Sequence, residues 1–112
     1  MTVTPKKLFT PAQLTTSAAT YYTAPASTKT VLKKATLTNN NSTPETVTIY
    51  LVETGGTAGV TNIILKDKAI GPGETYEVYE MEGHIMNAGD FVRALASAAS
   101  QVTFHLSGVE IV

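Results

Sequence analysis

The sequence predicts an all-β protein, an antiparallel β-sandwich or jelly roll of about seven or eight short strands led by an extended N-terminal arm. Three observations carry this reading. Short β-prone runs alternate with turn-formers at spacings of about 8–12 residues. Several of those runs place apolar side chains at every second position, as a half-buried strand requires. No stretch of useful length keeps the period of an amphipathic helix. The expected division is an arm over residues 1–19 and a sandwich over residues 20–112.

The arm contains Pro5 and Pro11, which remove backbone donors and break any helix, and its threonines and serines neither alternate nor cluster. Such a segment has no core of its own. Its Leu8, Phe9 and Leu14 must therefore tuck against the same domain or dock on a neighbour. From Thr30 the run TVLKKATLTN reads as a strand, and Asn39, Asn40, Asn41 and Pro44 stop it before TVTIYLVE resumes, which describes a hairpin with a long tip. In that second run Val47, Ile49 and Leu51 share one face and Thr48 and Tyr50 the other, with Val52 as an outward exception. TGGTAGVT is a flexible connection and NIILKDKAI a further strand. In GPGE, Pro72 fixes φ while the flanking glycines permit positive φ.

TYEVYEM alternates again, with Tyr76, Val78 and Met81 on the apolar side, and MEGHIMNAGD is the one segment that could hold a stray helical turn. In DFVRALAS, Val92, Ala94 and Ala96 oppose Phe91, Arg93 and Leu95, so both faces are apolar enough to be covered. The last run sets Val102, Phe104 and Leu106 inward, after which Val109 and Ile111 continue in the opposite phase. A β-bulge at Ser107-Gly108 would restore that phase.

With 112 residues the chain suits one domain, burying roughly 65% of its unfolded surface. Apolar residues make up 43% and charged residues 15%, which leaves long neutral tracts of Thr, Ser, Ala and Asn of the kind that face another protein. The net charge of −1 lacks the field of a nucleic-acid binder, and the pairs Lys6-Lys7 and Lys33-Lys34 read as solvated surface. Without cysteine there are no disulfides and no Cys-ligated zinc. There is no secretory leader pattern and no long apolar run, so the expectation is synthesis in the cytoplasm and no membrane partner.

The search for chemistry returns little. His84 and His105 lack the three or four convergent ligands of a metal site. Gly-x-Ser-x-Gly does not occur, and TGGTAG has neither the Lys-Ser/Thr of a P-loop nor dinucleotide-binding spacing. Glu74, Glu77, Glu80, Glu82 and Asp90 could supply paired carboxylates, but Glu77 and Glu80 read better as solvent-facing charges that blunt edge-to-edge pairing. Tyr21, Tyr22, Tyr50, Tyr76 and Tyr79 suit either sheet packing or sugar stacking. No enzyme activity and no cofactor is expected.

The order of several phrases carries more than any motif. AQLTTSAATYYTAPASTKTVLKKATLTNNNSTPETVTIYLV, then AIGPGETYEVYEM, then MNAGDFVRALASAASQVTFHLSGVEIV resembles a family of small tailed-bacteriophage virion proteins, over about residues 12–112. Tyr22 to Ala26 matches that family's step into the first strand, Gly73-Glu74-Thr75 and Ala88-Gly89-Asp90 its turns, and Ser107 to Ile111 its terminus. Ser27 stands where the family has glycine, and Lys33 where it has an apolar residue.

The resemblance implies a virion protein on the outer capsid surface, a decoration or cement protein whose partners are the major capsid protein and other copies of itself, as a trimer or other homo-oligomer. It also fits tail, fibre or baseplate accessory proteins. A carbohydrate-binding module using Tyr50, Tyr76 and Tyr79 is the alternative outside that class. The expected interface residues are Leu8, Phe9 and Leu14 of the arm, the Tyr21-Tyr22 pair, and the outward Phe91 and Leu95.

Overall fold

The computed structural model covers residues Met1–Val112 and contains strands and turns only. In chain order the strands are β1 (Val3–Lys7), β2 (Ala12–Gln13), β3 (Ala19–Thr23), β4 (Lys29–Asn39), β5 (Glu45–Val52), β6 (Ile63–Ile70), β7 (Thr75–Glu77), β8 (Ile85–Met86), β9 (Phe91–Ala96) and β10 (Val102–Ile111). One sheet has the order β1-β10-β4-β7, with β2 beside β1 on the β10 edge and β8 beside β7 on the β4 edge. The other runs β3-β9-β5-β6. Taking β1/β2 and β7/β8 each as one interrupted strand leaves four positions per sheet. With every neighbour antiparallel, this is the double Greek key of an eight-stranded jelly roll.

The even-numbered side chains of β9 and of the first part of β10 enter the core, as their alternation requires. Val92, Ala94, Val102 and Phe104 are wholly buried, together with Leu32, Leu37, Val47 and Ile49 from the central strands. Val52 is also buried, but on the outer side, under the β5–β6 connection where Gly56 approaches its methyl group. The Asn39 side chain donates to the carbonyls of Thr43 and Ile70 and accepts from the Asn41 amide, which ties the β4–β5 tip down.

Three expectations need correction. Residues 1–19 are extended, yet they belong to the sandwich: β1 and β2 pair with β10, β3 opens within them, and Leu8 and Leu14 lie in the common core. Each of these strands is too short, or too rich in Thr and Pro, for its alternation to show in the sequence.

TYEVYEM is not one strand. After Glu77 the chain makes successive turns, with Met81, Glu82 and His84 donating to the carbonyls three residues earlier, and no helix forms. Val78 and Met81 are nevertheless buried, as expected.

The bulge lies where predicted, between Ser107 and Gly108, but the extra residue is on the partner strand. Ser107 pairs with Lys34 and Gly108 with Leu32, so Lys33 is the residue that bulges. It switches the buried set of β4 from Thr30 and Leu32 to Ala35, Leu37 and Asn39. β10 keeps its own phase. Gly108 and Glu110 stay on the inner side, and Val109 and Ile111, expected inside, lie half-buried on the outer side. Glycine is required at 108 because a Cβ there would meet the Val31 carbonyl oxygen at 2.5 Å.

Candidate interaction surface

The structure separates the residues expected at an interface. Leu8, Leu14 and Tyr22 are core residues and unavailable to a partner in this chain. Phe9 and Tyr21 are half-buried on the flank. Tyr21 is the bulged residue of β3, and with Phe9 and Phe104 it forms an aromatic trio with ring centroids 5.2 to 6.0 Å apart. Phe91 and Leu95 are on the outer face of the four-stranded sheet, half-buried beside Tyr50, and no second sheet covers them.

Strand directions gather a different surface at one end of the sandwich. The start of β1, the end of β10, the β3–β4 turn, the β5–β6 connection and β8 with its following turn all lie there. Of the six large hydrophobic side chains left exposed, Met1, Val3, Val60, Ile85 and Val112 belong to this end, and only Tyr79 does not. Two open concavities adjoin it. One, of about 440 Å³, is bounded by Met1, Thr28, Lys29, Ile111 and Val112; the other, of about 410 Å³ and more polar, by Leu51, Val52, Glu53, Ile85, Asn87 and Asp90. Ala88 borders both. The loops at the opposite end, residues 40–44, 71–74 and 97–101, are built from Asn, Ser, Thr, Gly, Pro, Ala, Gln and Glu.

Sequence reasoning missed this end for two reasons. Val109 and Ile111 had been placed inside, and Met1 and Val3 belonged to an arm without assigned structure. The one signal available was the apolar character of both termini.

Just inside this end a polar clasp joins the two sheets. Tyr22 Oη of β3 donates to Glu110 Oε2 of β10 at 2.6 Å and accepts from Thr30 Oγ1 of β4 at 2.8 Å. Lys6 Nζ of β1 reaches the other Glu110 oxygen at 3.3 Å. Burial, reinforced by the Glu110 carboxylate, pushes the Tyr22 phenol up to about 12. The clasp orders the apolar end but offers no reactive group, because every one of its atoms is bonded within the chain.

The other displaced groups also have structural partners. Hydrogen bonds from Ser97 and Asn41 hold the Glu45 carboxyl below its usual range, closing the β4–β5 and β9–β10 loops together. Burial and the Glu80 carboxylate raise the Tyr76 phenol to about 12. Asp90 accepts from the Thr54 and Asn87 amides. The tyrosines offered for sugar stacking do not form one platform: Tyr50 is on the outer face of one sheet, while Tyr76 pairs with Leu37 in the other. No three His, Asp or Glu side chains stand close enough to share a metal ion.

No protein-family model matches the chain, and no curated protein is significantly similar to it. Among solved structures it is similar to a chain from the disulfide-linked pili of Bacillus endospore appendages, with 19% identity and a TM-score of 0.58, covering 97% of this chain and 87% of that one. Similarity also extends to a chain of infectious bursal disease virus, Gx strain, at 16% identity and a TM-score of 0.49. A chain of the Gt strain follows at 13% and 0.47. This chain spans 32% and 30% of those two viral chains. The pilus likeness shows a common fold. The present chain has no cysteine and forms no disulfide.

Proposed function

We propose that the chain is a non-enzymatic structural subunit of a virion, attached to the outer capsid surface of a tailed bacteriophage as a decoration protein that reinforces the junctions between capsid subunits. One observation carries the reading: the exposed large hydrophobics concentrate at a single end of the jelly roll. A monomer gains nothing by wetting such a patch, whereas an assembly subunit buries it. Attachment by that end stands the polar end outward. Each contact can be modest, because many copies on a repeating lattice raise the strength of the whole coat. The fold shared with a pilus protein is in keeping with a structural role, and the ordered phrases of the sequence supply the phage assignment.

Mass spectrometry of separated heads and tails, prepared from the virus that encodes the chain, tests the location. The chain is expected with the heads, in fixed proportion to the major capsid protein. Recovery with tails alone would move it to the tail or baseplate, and absence from both would remove the virion reading.

A further inference from the structure

We propose that copies of this chain associate side by side and head to tail, the β1 edge of the six-stranded sheet seating on the β7/β8 edge of the next copy. This rests on the chain being an assembly subunit but not on which partner its apolar end meets.

The two edges carry opposite charge. Residues 1–9 include Lys6 and Lys7 and no acid, with Lys6 held by Glu110 and Lys7 left to a neighbour; residues 71–86 include Glu74, Glu77, Glu80 and Glu82 and no lysine or arginine. They also match in height along the strands. Lys6 lies opposite Gly108, Gly108 opposite Leu32, and Leu32 exchanges backbone hydrogen bonds with Gly83 and His84, so the lysines stand level with Glu82. One row on, Pro5 aligns with Val109, Val31 and Ile85. Val3, two residues along from Pro5, is 52% exposed and Ile85 61% exposed, so each edge carries an apolar side chain, the two offset by two residues. The outer strands run in opposite directions, since β1, β10, β4 and β7/β8 are successively antiparallel. A copy displaced by one sheet width therefore presents β1 antiparallel to β7/β8.

The acidic edge has more carboxylates than counter-charges. Glu77 and Glu82 adjoin, and the Glu82 carboxyl is raised by its hydrogen bond to Glu77, by burial and by the second charge. One Glu82 oxygen is buried without a hydrogen-bond partner. Lys34 pairs with Glu77 at 3.9 Å and its charge partly offsets the rise at Glu82, one cation facing two carboxylates. A lysine from the neighbouring copy would bring a second cation to the Glu77–Glu82 pair.

The contact is made by side chains and does not extend the ladder. Thr2 exchanges both backbone bonds with Val112, and Leu8 donates to Leu106, so even-numbered residues of this segment bond inward and odd-numbered ones face the free edge. Pro5 is one of those odd residues and offers no N–H there. An edge so blunted avoids indiscriminate strand addition and leaves charge to select the partner. Because the two surfaces differ, the contact is heterologous and closes a ring or propagates.

Sedimentation velocity on the purified full chain tests this over a concentration series at low and high salt. The wild type is expected to associate at low salt and to return toward monomer at high salt, where surface charge is screened. K7E and E82K alone each shift half-association to about tenfold higher concentration or more, and an equimolar mixture of the two regains it. K7Q, which adds no opposing charge, is expected to fall between K7E and the wild type. A wild type that stays monomeric at low salt, variants that associate as well as it does, or a mixture that regains nothing would each overturn the proposal. Failure of the capsid reading would appear instead as normal self-association with no chain on virions.

Discussion

Tyr22 shows how one side chain can serve the fold while looking in the sequence like a surface anchor. Its ring is in the core and its hydroxyl joins β3 to β4 and β10 through Thr30 and Glu110. Burial first, and the Glu110 carboxylate second, raise its folded-state value to about 12 from the model-compound value of 10.0. The group binds its proton more tightly when folded. Its contribution is therefore complete below pH 10 and is lost as pH climbs through about 12. Tyr22→Phe keeps the ring and removes the donor, so it should cost about 1–2 kcal/mol at neutral pH. Melting followed by circular dichroism across the alkaline range checks both parts: the variant melts several degrees lower at neutral pH, and its deficit narrows as the wild-type phenol ionises.

At the level of elements, the leading segment is two different things. β1 contributes no buried side chain, whereas Leu8 and Leu14, just beyond it and beyond β2, are core residues. Leu14→Ala should destabilise the domain by about 2–5 kcal/mol, the usual cost of a cavity at a fully buried leucine. Removing residues 1–7 should cost much less. Denaturant melts of the two variants test the distinction; equal losses would show that β1 matters to the core after all.

The same elements show what the sequence made legible. β5, β9 and the first part of β10 were readable because one face is core and the other is not, so the pattern has period two. β1 to β3 were not, since short edge strands rich in Thr and Pro carry little alternation. The phase change of the last strand was visible, but a single strand cannot reveal which of two paired strands holds the extra residue. Lys33 is that residue. The interface reading inherited these errors: Leu8, Leu14 and Tyr22 moved inside, while Phe91 and Leu95 kept their outward position.

The whole molecule is an elongated body of 46 × 26 × 19 Å whose two ends differ in chemistry. Both termini close against each other through the paired Thr2 and Val112 at the apolar end. The two edges of the six-stranded sheet also differ, with Lys6 and Lys7 on one and Glu74, Glu77, Glu80 and Glu82 on the other. In the proposed reading the first of these surfaces meets a capsid lattice and the second meets other copies of the chain. The apolar end is the central claim, and cosedimentation of the purified chain with heads stripped of it tests that claim most directly. The wild type should pellet with the heads, and Val60→Asp, which places a charge on the apolar end away from the β1 and β7/β8 edges, should stay in the supernatant with an unchanged melting temperature. A variant that pellets as completely as the wild type, or a wild type that leaves the heads bare, would contradict the account.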